Sequence, residues 1–205
     1  MAIEYRGCRK LVYAKVLTDT DEGMTFGEVK PLAPVQQIQR EVSRSSATTY
    51  YDNTAANTTT AEGAEVNNFV IAVPDDAVLA DIEGKFYDPE MKIYSDSPIT
   101  DAYYAVGYVL GEKGDAENEQ FVWKNKGTFQ IQSTEHNTEN DGTDTTNITV
   151  GFTSVYPLAN FTHGGKDGNG GKSKGVRIKK NDNVMTEEAF FAKVQTIDDV
   201  YAAKV

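Results

Sequence analysis

Between residues 147 and 156 (NITVGFTSVY) the apolar side chains Ile148, Val150 and Phe152 alternate with Thr149, Gly151 and Thr153. Successive side chains of an extended chain point to opposite faces, so this period of two specifies a strand buried on one side and wet on the other. Strand candidates of related composition occupy residues 10–16, 35–43, 64–73, 102–110, 120–124 and 128–132. In the second of these, Gln37, Gln39 and Glu41 share one face, and in the third Phe69, Ile71 and Val73 do. One segment of the first 160 residues has a helical period instead. It begins at Pro74, with Asp75 or Asp76 available as a cap, Val78, Leu79 and Ile82 as an apolar stripe, and Gly84 to end it. Several short-spaced strands with one helix predict a mainly β chain: a two-sheet β-sandwich or barrel with a flanking α-helix.

Two stretches break this rhythm. Residues 45–62 (SSATTYYDNTAANTTTAE) have little aliphatic content and no proline, and read as two strand ends joined by a long exposed loop. Together with their flanks they make residues 35–73 one long hairpin. Beyond residue 156 the composition shifts to a Gly/Lys-rich run at residues 164–175, which reads as a flexible linker. Short terminal helices are expected at residues 186–194 and 196–204. The expected division is residues 1–160 as the β domain and residues 161–205 as linker plus helical segment.

Charge and motifs exclude several functions. A net charge of -11 argues against wrapping nucleic acid, because phosphate neutralisation needs Lys and Arg in excess. A single cysteine, Cys8, forbids an internal disulfide framework and any multi-Cys zinc site. The opening MAIEYRGCRK carries charges where a signal peptide needs an apolar core, and no apolar run approaches the ~20 residues of a membrane span. Synthesis and folding in a cytoplasm, with no membrane partner, is the expectation. Gly171, Lys172 and Ser173 have the tail of a phosphate-binding loop, but the first glycine of that pattern would fall at Lys166. Asp19, Asp21 and Glu22 before Gly23 lack the ligand alternation of a calcium loop and read as a solvated turn. The two histidines, His136 and His163, have no second ligand at metal-binding spacing, and no nucleophile is paired with a base. The one tryptophan, Trp123, is expected in the core with Phe121 and Phe129.

The ordered series LVYAKVLTDTDEGMTFG, ATTYYDN, PDDAVLADIEG, DAYYAVGYVL, FVWKNKGTF and NITVGFTSVYP, running from Leu11 to Pro157, resembles the major tail protein, or tail tube protein, of long-tailed bacteriophages. The likeness is to the siphophage branch of Gram-positive hosts. It implies a structural virion protein that is no enzyme, has no catalytic residues and needs no cofactor or metal. Copies of the chain would form hexameric rings stacked into a tube, alongside tape measure, tail terminator and baseplate proteins. Double-stranded DNA would pass through without specific binding. On that likeness Tyr50, Tyr51, Asp52, Asn53, Asn57 and Thr59 belong to an inter-ring loop, and Gln37, Gln39, Glu41, Glu65 and Asn67 face the lumen. The apolar set Phe190, Phe191 and Val194 is too small to make a core alone and must dock on the outer side of a sandwich, its own or a neighbour's. Other tail components and a β-sandwich carbohydrate-binding module are the alternative readings; a hydrolase would need a convergent polar cluster.

Overall fold

The computed structural model describes residues 7–52, 54–111, 119–134, 146–180 and 185–204. Within them the chain is mainly β, with strands β1 (Cys8–Thr20), β2 (Gly23–Phe26), β3 (Lys30–Ala33), β4 (Val35–Tyr51) and β5 (Thr54–Ala72) first. Helix α1 (Asp76–Glu83) follows, then the small hairpin of β6 (Phe86–Asp88) and β7 (Ile93–Ser95). Strands β8 (Tyr104–Leu110), β9 (Gln120–Thr134), β10 (Asn147–Ser154) and β11 (Gly175–Lys179) precede helices α2 (Glu187–Ala192) and α3 (Ile197–Ala202).

The large sheet runs β2-β1-β8-β9-β10-β5-β4, with β3 added to β1 and β11 to β9, and all its pairings are antiparallel. Its two ends do not pair, so the barrel is not closed. The sheet nevertheless curls until β1 lies near β4, and the Cys8 thiol donates to the Gln36 carbonyl at 3.7 Å. Alternation then sorts side chains onto two faces. The inner face buries Leu11 and Tyr13 of β1 with Phe69, Ile71, Tyr104, Val106, Ile148, Val150 and Phe152, and Ile82 of α1 joins them. Asp81 fixes that helix across the core, accepting from the Tyr13 hydroxyl at 2.9 Å while its own carbonyl accepts from the Tyr104 hydroxyl. As expected, α1 starts at an Asp75 cap and ends at Gly84, although the Asp75 side chain makes no capping hydrogen bond.

The second core lies on the outer face of β1, β8, the first half of β9 and β11. There Val12, Ala14, Ala105, Val109, Phe121, Trp123 and Val176 are covered by Phe190, Phe191, Val194 and Val200 of the C-terminal segment. Gly107 lies directly under Trp123, where an added Cβ would meet the indole at 2.9 Å.

Strand β9 corrects an expectation. Residues 120–124 and 128–132 are one continuous strand, interrupted by a register shift against β8. A bulge of this kind inserts one residue and reverses which parity faces the core. Val122 and Lys124 therefore face inward before it, Phe129 and Ile131 after it. The Gly/Lys-rich run is corrected too: Phe161 bridges to Gly171, the run leads into β11, and β11 pairs with β9. Residues after 160 thus complete the same sheet and its outer core.

Candidate assembly surfaces

Three surfaces follow from this frame. The first is the distal half of the β4–β5 hairpin. Strand β10 pairs with β5 only from Glu65 to Ala72, whereas β4 and β5 remain paired with each other from Arg44↔Glu62 out to Tyr51↔Thr54. The loop expected at residues 45–62 is therefore a two-stranded ribbon with a tight turn. Ser and Thr supply extended backbone there without apolar bulk, and Thr48 and Thr58 join hydroxyls across the ribbon at 3.2 Å. Asn57 and Thr59 lie exposed along it, and Tyr50, Tyr51 and Asp52 stand exposed at its tip, each tyrosine 65% exposed. Asn53 lies outside the described residues. At the root, Lys174 donates to the Gly63 carbonyl at 2.7 Å and pairs with Glu62 at 3.1 Å, so the Gly/Lys-rich run braces the arm.

The second surface is the outer face of β4, β5, β10 and the end of β9. Cross-strand partners share a face, giving rows Gln37–Val70–Thr149–Ser133, Gln39–Asn68–Gly151–Gln130 and Glu41–Val66–Thr153–Thr128. Glu41 is the one ionisable side chain in these rows. Gly151 leaves room above it, through which the Gln132 amide reaches Asn68 at 2.9 Å; a Cβ on Gly151 would meet that amide nitrogen at 2.6 Å.

Glu65 and Asn67 do not belong to this face. They share parity with Phe69 and Ile71, and both are buried on the core side, at 2% and 0% exposure. Their rows are Val42–Glu65–Ser154–Gly127 and Arg40–Asn67–Phe152–Phe129. A buried carboxylate needs charge partners. Arg40 of β4 supplies one at 2.8 Å and Lys124 of β9 another at 2.6 Å. Burial alone would push the Glu65 carboxyl up; the two cations outweigh it and hold its pKa at about 2. Burial is likewise the largest influence on Lys124 and pushes its ammonium down, against the pull of Glu65.

The third surface is the outer core. Phe190, Phe191 and Val194 pack on their own chain, with Phe191 5.7 Å from the Trp123 ring and Phe190 5.7 Å from Phe121. Thr186 caps α2, and Thr196 with Asp199 forms a capping box on α3, so each short helix has its first turn satisfied. Ion pairs close the segment down: Arg9 joins buried Glu119 to Glu187, and Lys180 meets Glu119 at 3.0 Å. The Arg9 hydrogen bonds are the main reason the Glu187 carboxyl is held at about 2. His163 stacks on Tyr201 at 4.0 Å, and Asp198 accepts from the Thr162 and His163 backbone amides. His136 lies outside the described residues.

The acidic turn is not a solvated one at Asp19. Its carboxylate pairs with Lys126 at 2.6 Å and accepts from the amides of Leu158 and Ala159, locking the end of β1 to β9 and to the segment that follows β10. Among the described residues, no group of three or more His, Cys, Asp or Glu side chains could hold a metal ion. None of the described helices is long and apolar enough to cross a membrane. Compared with known proteins, the chain matches no family model and none of the curated sequences.

Proposed function

We propose that the chain is the structural subunit of a self-assembling tube, the tail tube protein of a long-tailed bacteriophage, built of stacked hexameric rings through which genomic DNA passes. The observation that carries this reading is the β4–β5 arm. A two-stranded ribbon with both faces in water is marginal in isolation, so a sequence that specifies one this long needs a surface elsewhere to lay it on. Among the described residues no hydrogen bond or ion pair from outside the arm reaches it beyond its root; neighbouring copies supply that surface.

Two further features support the same job. The polar rows of β4, β5, β10 and β9 offer Gln, Asn, Thr and Ser with a single carboxylate, a surface that gives a passing polyanion no cation to hold. In a ring these rows line the bore, in the virion tail. Among the described residues strand β4 also ends the strand path with no strand on its outer edge, and a ring of copies covers such edges in turn. The carbohydrate-binding alternative loses its best ligand-stacking candidate, because Trp123 is fully buried. Negative-stain electron microscopy of the concentrated chain tests the reading: rings or tubes of uniform bore are expected, and particles that stay monomeric at every concentration would sink it.

A further inference from the structure

Where β4 fails to meet β11, the curled sheet leaves a pocket of about 280 Å³. Ile38, Leu110 and Val122 give it apolar walls, and Arg40, Lys124 and Arg177 converge on it from three strands. Glu65 engages Arg40 and Lys124 from the core side. The Arg177 side chain, exposed on β11, makes no hydrogen bond or ion pair among the described residues. Three cations therefore gather around one carboxylate that pairs with only two of them, within a chain that carries 31 acidic against 20 basic side chains. The crowding is felt locally: Arg40 and Arg177 both work against the charge on Lys124.

We propose that this pocket is a socket for a carboxylate side chain presented by a second copy of the chain, which rests on the assembly reading above. A guanidinium fork matches a carboxylate in two parallel hydrogen bonds, and Arg177 is the fork left unused. The apolar walls suit the methylene stem of Asp or Glu and offer nothing to a nucleic-acid backbone. Charge complementarity points to a second copy, since an acidic chain with a local cationic hollow attracts its own surface. Position agrees, because the pocket opens beside the free edge of β4 that a neighbour would cover.

The test uses the full-length chain, its Arg177→Glu, Arg177→Gln and Arg177→Lys variants, sedimentation velocity across a concentration series at low salt, and electron microscopy of the same samples. Tryptophan emission confirms the fold of each. The concentration for half-assembly is expected to rise roughly tenfold or more in Arg177→Glu, less in Arg177→Gln, and little in Arg177→Lys, with high salt narrowing the differences. Tubes formed equally well by wild type and Arg177→Glu would overturn the socket and leave the tube reading standing. Arg177-sensitive association into closed particles without tubes would support the socket and overturn the tube. A wild-type chain that never associates overturns both.

Discussion

The indole N–H of Trp123 donates a 3.0 Å hydrogen bond to the Phe190 carbonyl, joining the first half of β9 to the first C-terminal helix across 67 residues of sequence. Each partner satisfies what the other cannot bury alone. The indole gains an acceptor in an otherwise apolar core, and α2 gains an anchor that its six residues could not supply.

Phe190→Ala should therefore destabilise the whole sheet and not just the tail. The expected cost is about 3–5 kcal/mol, the range for a fully buried phenylalanine. Urea denaturation measures it, and emission from the single tryptophan should shift to the red as water reaches the indole. An unchanged midpoint would mean that α2 is a dispensable cover.

Acid should loosen the seam between β4, β5 and β9. Glu65 is held at about 2 in the folded chain against an ordinary value of 4.5, so the unfolded chain binds the proton more readily. Its contribution is complete above about pH 4.5 and is lost as the pH falls toward 2. Glu187 adds loss in the same window. Glu65→Gln should flatten that limb of the stability profile while lowering stability at pH 7 by about 3–5 kcal/mol, since Arg40 and Lys124 lose their counter-charge. Denaturation midpoints from pH 7 down to 2.5 decide it, and a variant whose acid limb matches wild type would refute the assignment.

Shortening the arm separates folding from assembly. Replacing residues 46–60 by a tight turn should leave the stability of the isolated chain within about 0.5 kcal/mol of wild type, because the ribbon buries almost nothing. On the proposed tube reading, rings and tubes should be lost. Normal tubes from the shortened chain would remove the arm from the assembly.

If the polar rows line the bore of a tube, as proposed, cations placed on them should make that bore sticky. Gln39 and Glu41 are exposed on the outer face, so changing both to Lys should be near-neutral for folding. Assembled variant tubes are expected to retain double-stranded DNA at low salt and release it as salt rises, while wild-type tubes retain none. Equal retention by the two would place these rows away from the DNA path.

Period-two alternation determined much of the frame: β10, β8, the inner half of the β4–β5 hairpin and the solvent face of Gln37, Gln39 and Glu41 are legible because each side chain's face follows from its own strand. The caps and stripe of α1 are local in the same way. The same parity places Glu65 and Asn67 with Phe69, but their polarity argues for water, and only the tertiary structure decides the conflict by bringing Arg40 and Lys124 to the carboxylate. It also decides what no local pattern encodes. The β9 bulge mimics a break, and the polar ribbon at residues 44–62 holds its shape by cross-strand pairing where composition spells a loop. Strand β11 is drawn from a Gly/Lys-rich neighbourhood because β9 offers an open edge, and Phe190 and Phe191 fold back on their own chain because Trp123 leaves an apolar surface there to cover. Faces along a strand are set by bond geometry, which sequence carries; which surfaces meet is set by the free energy of burying them together, which requires the whole chain.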